Sequence, residues 1–360
     1  MRSALAAGAR SLLAAATVCI LVLLTLWAAL HDWPSVFRAV AALYSGAFGS
    51  PYDIGNTVNK TTPLLLTGLG VALAFRARLW NIGGEGQFLA GALAASATGA
   101  YGLKHLPGGI LVPLTLMSGF AAGAAWAAIP ALLKVWRSVP EVISTIMFNF
   151  LALNLLSYLV HGPLQEASRA QPATEALPLA AQLPIIWPHT TMHQGIVVAI
   201  AAAFAVGVYL FATPGGFNLR FVGANPAAAR FAGVNVRRTT FSVLLLSGAL
   251  CGLAGSVELS GLVGTVYETY APGYGFAAVA VALVGRLHPI GVMFAALFFG
   301  ALAAGAGAME RCGVSPAVSY VIQGLTLFVL LLFQHVKAGG RAETSNADVV
   351  DGDAKTAVNA

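Results

Sequence analysis

Charge is what this chain has least of. Only 9% of its 360 residues are Asp, Glu, Lys or Arg, against about 25% in a soluble domain. With 58% hydrophobic residues and a mean hydropathy of +0.81, that deficit excludes a water-soluble globular fold and leaves lipid as the solvent. Cysteine is scarce as well. Cys19, Cys251 and Cys312 are far apart and mostly inside apolar runs, which excludes a disulfide framework and a thiolate metal site. There is no G-x-x-x-x-G-K-[ST] phosphate loop, no His/Glu zinc spacing and no G-x-S-x-G elbow. The chain therefore lacks the means to hydrolyse nucleotide by itself, and it is expected to be neither an enzyme nor the holder of a metal or cofactor.

The apolar runs that are present are continuous and about 20 residues long, the length of a spanning helix. A β-barrel would instead show alternating segments of about 10 residues. The 40 glycines and abundant alanines suit helices that pack closely through small residues. The expected fold is an all-α polytopic membrane protein of about ten spans, near 11–30, 58–75, 83–103, 110–133, 141–160, 194–213, 239–259, 275–287, 289–309 and 315–336. With the N-terminus inside, 14 of the 19 Lys and Arg residues fall on the cytoplasmic side and 5 outside, so both termini are expected in the cytoplasm. The net charge of +6 thus reads as membrane orientation, not as a nucleic-acid surface. The run from Ser11 to Leu30 is long for a signal-peptide core and leads into His31-Asp32-Trp33-Pro34 without a small-x-small cleavage site, so it reads as a retained first helix. Residues 31–57, with Trp33, Tyr44 and Tyr52, have room for an interfacial helix. The proline-rich stretch 161–193 reads as an outer loop. Residues 1–337 form the expected transmembrane domain and 338–360 a polar, disordered cytoplasmic tail.

Two segments carry chemistry. Asn81-Ile82-Gly83-Gly84-Glu85-Gly86-Gln87 sits where a span begins. A carboxylate in or near hydrocarbon costs at least a few kcal/mol and is a functional candidate by default, and the glycines let another backbone or a ligand come close. Glu85 either lines a solute pathway or pairs with Arg76 or Arg78. Asn81 reads first as a cap. Gln87 and Asn149 are amides within spans, able to bond a solute or a neighbouring helix. Glu258 lies at the outer end of its span, and Phe276 either stacks on a planar ligand or anchors in the interface. The second segment is the inner loop from Arg220 to Arg238. There Asn225 is placed to cap a helix whose first residue is Pro226, and Gly233 is placed to end it. The small residues Gly223, Ala228, Ala229 and Gly233, flanked by Arg230 and Arg237, read as a short helix that lies in another protein's groove.

These segments also carry a resemblance. Residues 81–87 are similar to an N-I-G-x-E-G-Q signature. Residues 140–149, with Pro140-Glu141-Val142-Ile143-Ser144-Thr145-Ile146-Met147 and Asn149, resemble N-E-V-I-x-T-I-M-x-N, with Pro140 in place of the usual Asn. The inner loop resembles G-x-N-x-x-A-A-x-x-A-G-I, and Gly273 to Phe276 through Gly285-Arg286-Leu287-His288-Pro289 resembles a further signature. The order is conserved across residues 60–335. Together they identify the chain as similar to permease subunits of bacterial ABC importers in the branched-chain amino acid and ribose group, in the nucleoside and simple-sugar subgroup. The resemblance implies an inner-membrane permease that works with an ABC ATPase, a second homologous permease and an extracytoplasmic substrate-binding lipoprotein, among membrane lipids. It implies a nucleoside or simple sugar as the small-molecule substrate. A stand-alone secondary transporter or channel for a small polar solute is the alternative. The capped inner helix favours the importer, because a self-sufficient carrier needs no docking helix.

Overall fold

The computed structural model describes residues 2–318, 321–326, 328–329 and 332, so the expected tail lies outside the described residues. The chain divides into two compact units, Met1–Ala42 with Ala306–Ala360, and Leu43–Gly305. Among the described residues six helices are long and apolar enough to cross a membrane: Pro51–Arg76, Gly108–Arg137, Glu141–Val160, Gly195–Ala212, Val236–Val263 and Pro289–Arg311. Of the other four segments expected to span, 11–30 lies within the first helix, 83–103 and 275–287 make shorter helices, and 315–336 is described only in part.

At the start of the chain, α1 (Arg2–Leu30) turns at Asp32 into α2 (Trp33–Phe48). The Ser35 backbone N–H and hydroxyl donate to Asp32 Oδ2 at 3.0 and 2.6 Å, which supplies an acceptor to the open N-terminus of α2. The Trp27, Trp33 and Phe37 rings follow one another at 6.4 and 6.2 Å. The helix expected within residues 31–57 is therefore present.

In the second unit, α3 (Pro51–Arg76) starts earlier than the apolar run does. Ser50 accepts from Asp53 N–H at 3.2 Å and Pro51 occupies the first turn, so the cap and not the hydrophobicity sets the start. The next expected span is α4 (Gly84–Ser96), extended by a π turn over Ala97–Gly102. Then come α5 (Gly108–Arg137), α6 (Glu141–Val160) and α7 (Gly195–Ala212). Thr213-Pro214 repeats the cap-plus-proline pattern and opens α8 (Pro214–Ala224), a helix not expected from hydrophobicity. Asn225-Pro226 opens α9 (Pro226–Phe231). After α10 (Val236–Glu258) and a second π turn, α11 (Tyr274–Val284) is only 11 residues long, about 16 Å at 1.5 Å per residue and so half of a hydrocarbon core. Arg286 and Leu287, at φ 55 and 56°, turn the chain into α12 (Pro289–Arg311).

Glycine decides which helices touch. Gly119 and Gly123 of α5 face Gly248 and Gly252 of α10, two four-residue glycine repeats laid backbone to backbone. On its other side α10 meets α4 in the same way, where Gly91 abuts Gly252 and Gly255 abuts the Phe88 carbonyl. Without a hydrophobic drive between helices in lipid, such close approach is the main source of association. The α3 helix is buried along nearly its whole length. Its Gly70 lies against α10 at the Ser247 carbonyl, and its Gly68 against Val281 of α11 and Val292 of α12.

The expected outer loop, 161–193, is irregular and has no span. It is stitched to the segment after α10 by Thr174 N–H to Val266 O (2.8 Å), Leu177 N–H to Gly264 O (2.8 Å) and Leu183 N–H to Ser260 O (2.7 Å). Within it, His193 is buried. Its Nδ1 accepts from Gly195 N–H at 3.1 Å, and burial pushes its pKa down to about 4.

Candidate functional site

The glycine-rich turn before α4 is held by side chains from two other helices, α10 and α6. From α10, Ser247 Oγ accepts from Asn81 Nδ2 at 2.8 Å. Asn81 Nδ2 also donates to Gln87 Oε1 (3.0 Å), while Asn81 Oδ1 accepts from Gln87 Nε2 (3.1 Å) and Gly83 N–H (3.0 Å). Asn81 thus folds back on the turn and closes a paired-amide ring with Gln87; it is not the expected helix cap, since Gly83 holds that position and the start of α4 has no side-chain cap bond. From α6, Asn149 Oδ1 accepts from Gly86 N–H (2.8 Å) and its Nδ2 donates to Ile82 O (2.9 Å). Thr145 Oγ1 accepts from Ile82 N–H (3.3 Å), and Glu141 Oε1 from Trp80 N–H (3.2 Å). Glu141 also pairs with Lys134 at 2.7 Å, which closes the α5–α6 turn.

From the turn itself, Glu85 reaches α11. Its two carboxylate oxygens accept from Gly273 N–H (2.8 Å) and Gly275 N–H (2.7 Å). These are open backbone donors at the start of α11, where the helix dipole also favours a negative charge. The start of α4 abuts the same place. A side chain at Gly275 would strike the Glu85 backbone, and one at Gly84 would press on Gly275. Two helix N-termini therefore meet inside the bundle with one carboxylate between them. Of the two sequence alternatives, an ion pair with Arg76 or Arg78 is not what forms. Among the described residues the ion pairs of Glu side chains are Lys134–Glu141 and His161–Glu268.

Glu258 approaches α11 from the other side. Its Oε1 accepts from the Tyr274 hydroxyl (3.2 Å), which in turn accepts from Lys60 Nζ (3.2 Å). Glu258 Oε2, the Tyr270 hydroxyl and Ser260 Oγ are buried with no partner. Five candidates from the sequence, Asn81, Glu85, Gln87, Asn149 and Glu258, are thus all buried. The first four share one junction, and Glu258 joins it through Tyr274. Phe276 is not part of this set, since it is 53% exposed on the outer face of α11. Sequence reasoning missed Lys60 and Tyr270. A lone cation beside an apolar run was the available signal for Lys60, whereas Tyr270 gave none. Among the described residues no three His, Cys, Asp or Glu side chains converge as a metal-binding set.

The inner loop forms the expected short helix. Asn225 Oδ1 accepts from Ala227 N–H (3.0 Å) and Ala228 N–H (3.1 Å), and Gly233 takes φ +83° beyond its end. Its orientation corrects the sequence reading. Ala229 and Gly223, expected on the contact face, are buried within the chain itself, with Gly223 against the Arg76 carbonyl. The exposed face is instead Pro226, Ala227, Arg230 and Phe231, with Arg237 nearby. Phe231 is 95% exposed, far more than a large apolar side chain favours without a partner.

Comparison with known proteins gives concordant matches. Residues 53–331 match the family described as the permease component of branched-chain amino acid transport systems. A glucose ABC transporter permease protein of Haloferax volcanii is 36% identical over 335 residues, 88% of each chain. A guanosine ABC transporter permease protein of Bacillus subtilis is 39% identical over 304 residues, 82% of this chain and 86% of that one. A nucleoside ABC transporter permease protein of Lactococcus lactis is 32% identical over 297 residues, covering 80% and 81%.

Proposed function

We propose a specific set of roles for this chain, which belongs to the family of permease components of branched-chain amino acid transport systems. It is an integral membrane permease subunit of an ATP-binding cassette importer. The solute we assign to it is a nucleoside or a simple sugar, the classes named for the three relatives above. The solute arrives on an extracytoplasmic binding lipoprotein and passes between this chain and a second homologous permease. ATP hydrolysis lies on a separate ATPase chain.

The observation that carries the coupling role is α9. It is a capped helix bearing an almost fully exposed Phe231 beside Arg230, an apolar anchor with a cation at its rim. Aromatic and Arg side chains carry much of the energy at protein interfaces. In this reading Asn225, Pro226 and Gly233 build the docking element, Phe231, Arg230 and Arg237 contact the ATPase, and Gly223, Ala228 and Ala229 fix the helix to the permease. The Gly223–Arg76 contact places the end of α3 on the same side as α8 and α9. This supports one side for the basic segments around Arg76 and Arg220; we assign that side to the cytoplasm together with both termini, with about ten spans in residues 1–337 and a polar tail over 338–360.

We assign Asn81, Glu85, Gln87, Asn149 and Glu258 to shaping the pathway wall. They hold the junction of two short helices, α4 and α11, and discontinuous helices of this kind commonly border transport sites. Phe276, exposed on α11, is the member of the set placed to touch solute or the second permease. The test is ATP-dependent uptake by the assembled transporter in proteoliposomes, comparing labelled guanosine, uridine and glucose. Saturable, ATP-dependent uptake of one of these supports the reading. Solute flux by the isolated chain, without ATPase or binding protein, overturns it in favour of a stand-alone carrier.

A further inference from the structure

A groove of about 560 Å³ runs along α7 and across the start of α12, lined by Phe204, Gly207 and Phe211 on one side and by His288, Ile290 and Met293 on the other. From Ile200 to Ala212 it follows α7 for about 18 Å at 1.5 Å per residue. That is close to the depth of one leaflet, half of a hydrocarbon core about 30 Å thick. The lining is apolar along its length, but one end is not. At Phe211 the guanidinium carbons of Arg76 and Arg220 lie 5.1 and 5.5 Å from the ring centroid, and the His288 ring lies 5.2 Å away.

Among the described residues these two cations have no acidic partner, Arg76 Nη1 is buried with no hydrogen-bond partner, and Arg220 makes one long bond from Nε to the Gly216 carbonyl at 3.4 Å. Two like charges held on one aromatic ring repel each other, and an anion between them removes that repulsion. Guanidinium groups match phosphate in geometry as well as in charge.

We propose that this groove is a binding site for one anionic phospholipid, its phosphate held by Arg76 and Arg220 and one acyl chain lying along α7. A free phosphate leaves the 18 Å of apolar groove unexplained, and a zwitterionic lipid leaves a net charge of two on the ring. Only a ligand with both an anionic head and a leaflet-length tail meets both ends of the site.

Gly207 supplies a clean probe, because a Cβ added there meets nothing within 4 Å and projects into open groove space. The full-length chain is purified in detergent, exposed to equal phosphatidylglycerol and phosphatidylcholine, and analysed by native mass spectrometry, with thermal unfolding as the control for folding. One retained phosphatidylglycerol is expected, with little phosphatidylcholine. Gly207→Phe should displace it by filling the groove. Arg76→Gln with Arg220→Gln should cut the preference for the anionic lipid roughly thirtyfold, about fivefold per cation removed. If the double variant does not fold, Arg220→Gln alone carries the test. Equal retention of both lipids, or retention unchanged in every variant, overturns the proposal. So does competition by inorganic phosphate with no effect of Gly207→Phe, which marks an anion site without a tail. Efficient crosslinking of a cysteine at Phe204 to a second permease also overturns it, since protein then fills the groove.

Discussion

Replacing Glu85 tests the physical reading of the site most directly. Its carboxylate accepts two backbone N–H groups, from Gly273 at 2.8 Å and Gly275 at 2.7 Å, inside a junction where Glu85 is 1% exposed. In Glu85→Ala both donors lose their acceptor, and no water replaces it without a cavity. Each unsatisfied buried donor costs about 1–3 kcal/mol, so the pair costs about 2–6 kcal/mol. The charge that faced two helix N-termini is lost as well, worth up to about 2 kcal/mol in buried geometry. Against a net stability of roughly 5–15 kcal/mol, this is a large fraction. Glu85→Gln keeps one acceptor oxygen and turns an amide NH₂ toward the other donor, so its cost should be about half. Thermal unfolding of the purified chain should therefore rank wild type above Gln and Gln above Ala. ATP-dependent uptake should fall in the same order at matched membrane levels, because the α4–α11 junction borders the proposed pathway. A Glu85→Ala chain with wild-type unfolding temperature would refute the capping role. Wild-type stability with lost uptake would instead mark Glu85 as a group that meets solute.

Three further outcomes follow from the same structure. Phe231→Ala should weaken co-purification of the ATPase by at least about thirtyfold, the size of a hot-spot loss near 2 kcal/mol. Ala229→Trp should instead lower the chain's own unfolding temperature, because Ala229 is fully buried; the reverse pattern would show that the helix faces the other way. His193 is neutral in the fold, its pKa lowered from 6.5 to about 4 by burial. Its contribution is therefore complete above pH 6.5, declines as pH falls toward 4 and then levels off, a loss of about 3 kcal/mol. His193→Gln should flatten that part of the unfolding-temperature profile, and an unchanged profile would remove His193 as its source. Finally, cysteines introduced at Ala170 and Asn346 should react with impermeant reagent from opposite faces, with one at Ala227 reacting from the same face as Asn346. Labelling of Ala170 and Asn346 from one face would overturn the topology.

Much of this protein follows from sequence alone because the determining interactions are local or averaged over many residues. A 9% charge content and apolar runs of spanning length admit only helices in lipid. Asn225-Pro226 with Gly233 announces a short helix because a cap involves donors two or three residues away. The same logic was present at Ser50-Pro51 and Thr213-Pro214, and both helix starts were legible there had the caps been weighed above hydrophobicity.

The choice of partner among buried polar groups was not legible. Glu85 had nearby arginines in sequence, yet its oxygens meet Gly273 and Gly275, nearly two hundred residues away. Packing brings the start of α11 against α4, and a buried carboxylate takes whatever donors the fold leaves open. Which face of α9 is free was equally beyond periodicity. Six residues make less than two turns, and the packing of α9 against α8 and α10 leaves Ala229 inside and Phe231 outside. Local chemistry set where helices begin. The close approach of glycine faces across the bundle decided which of them meet, and so what each buried side chain can do.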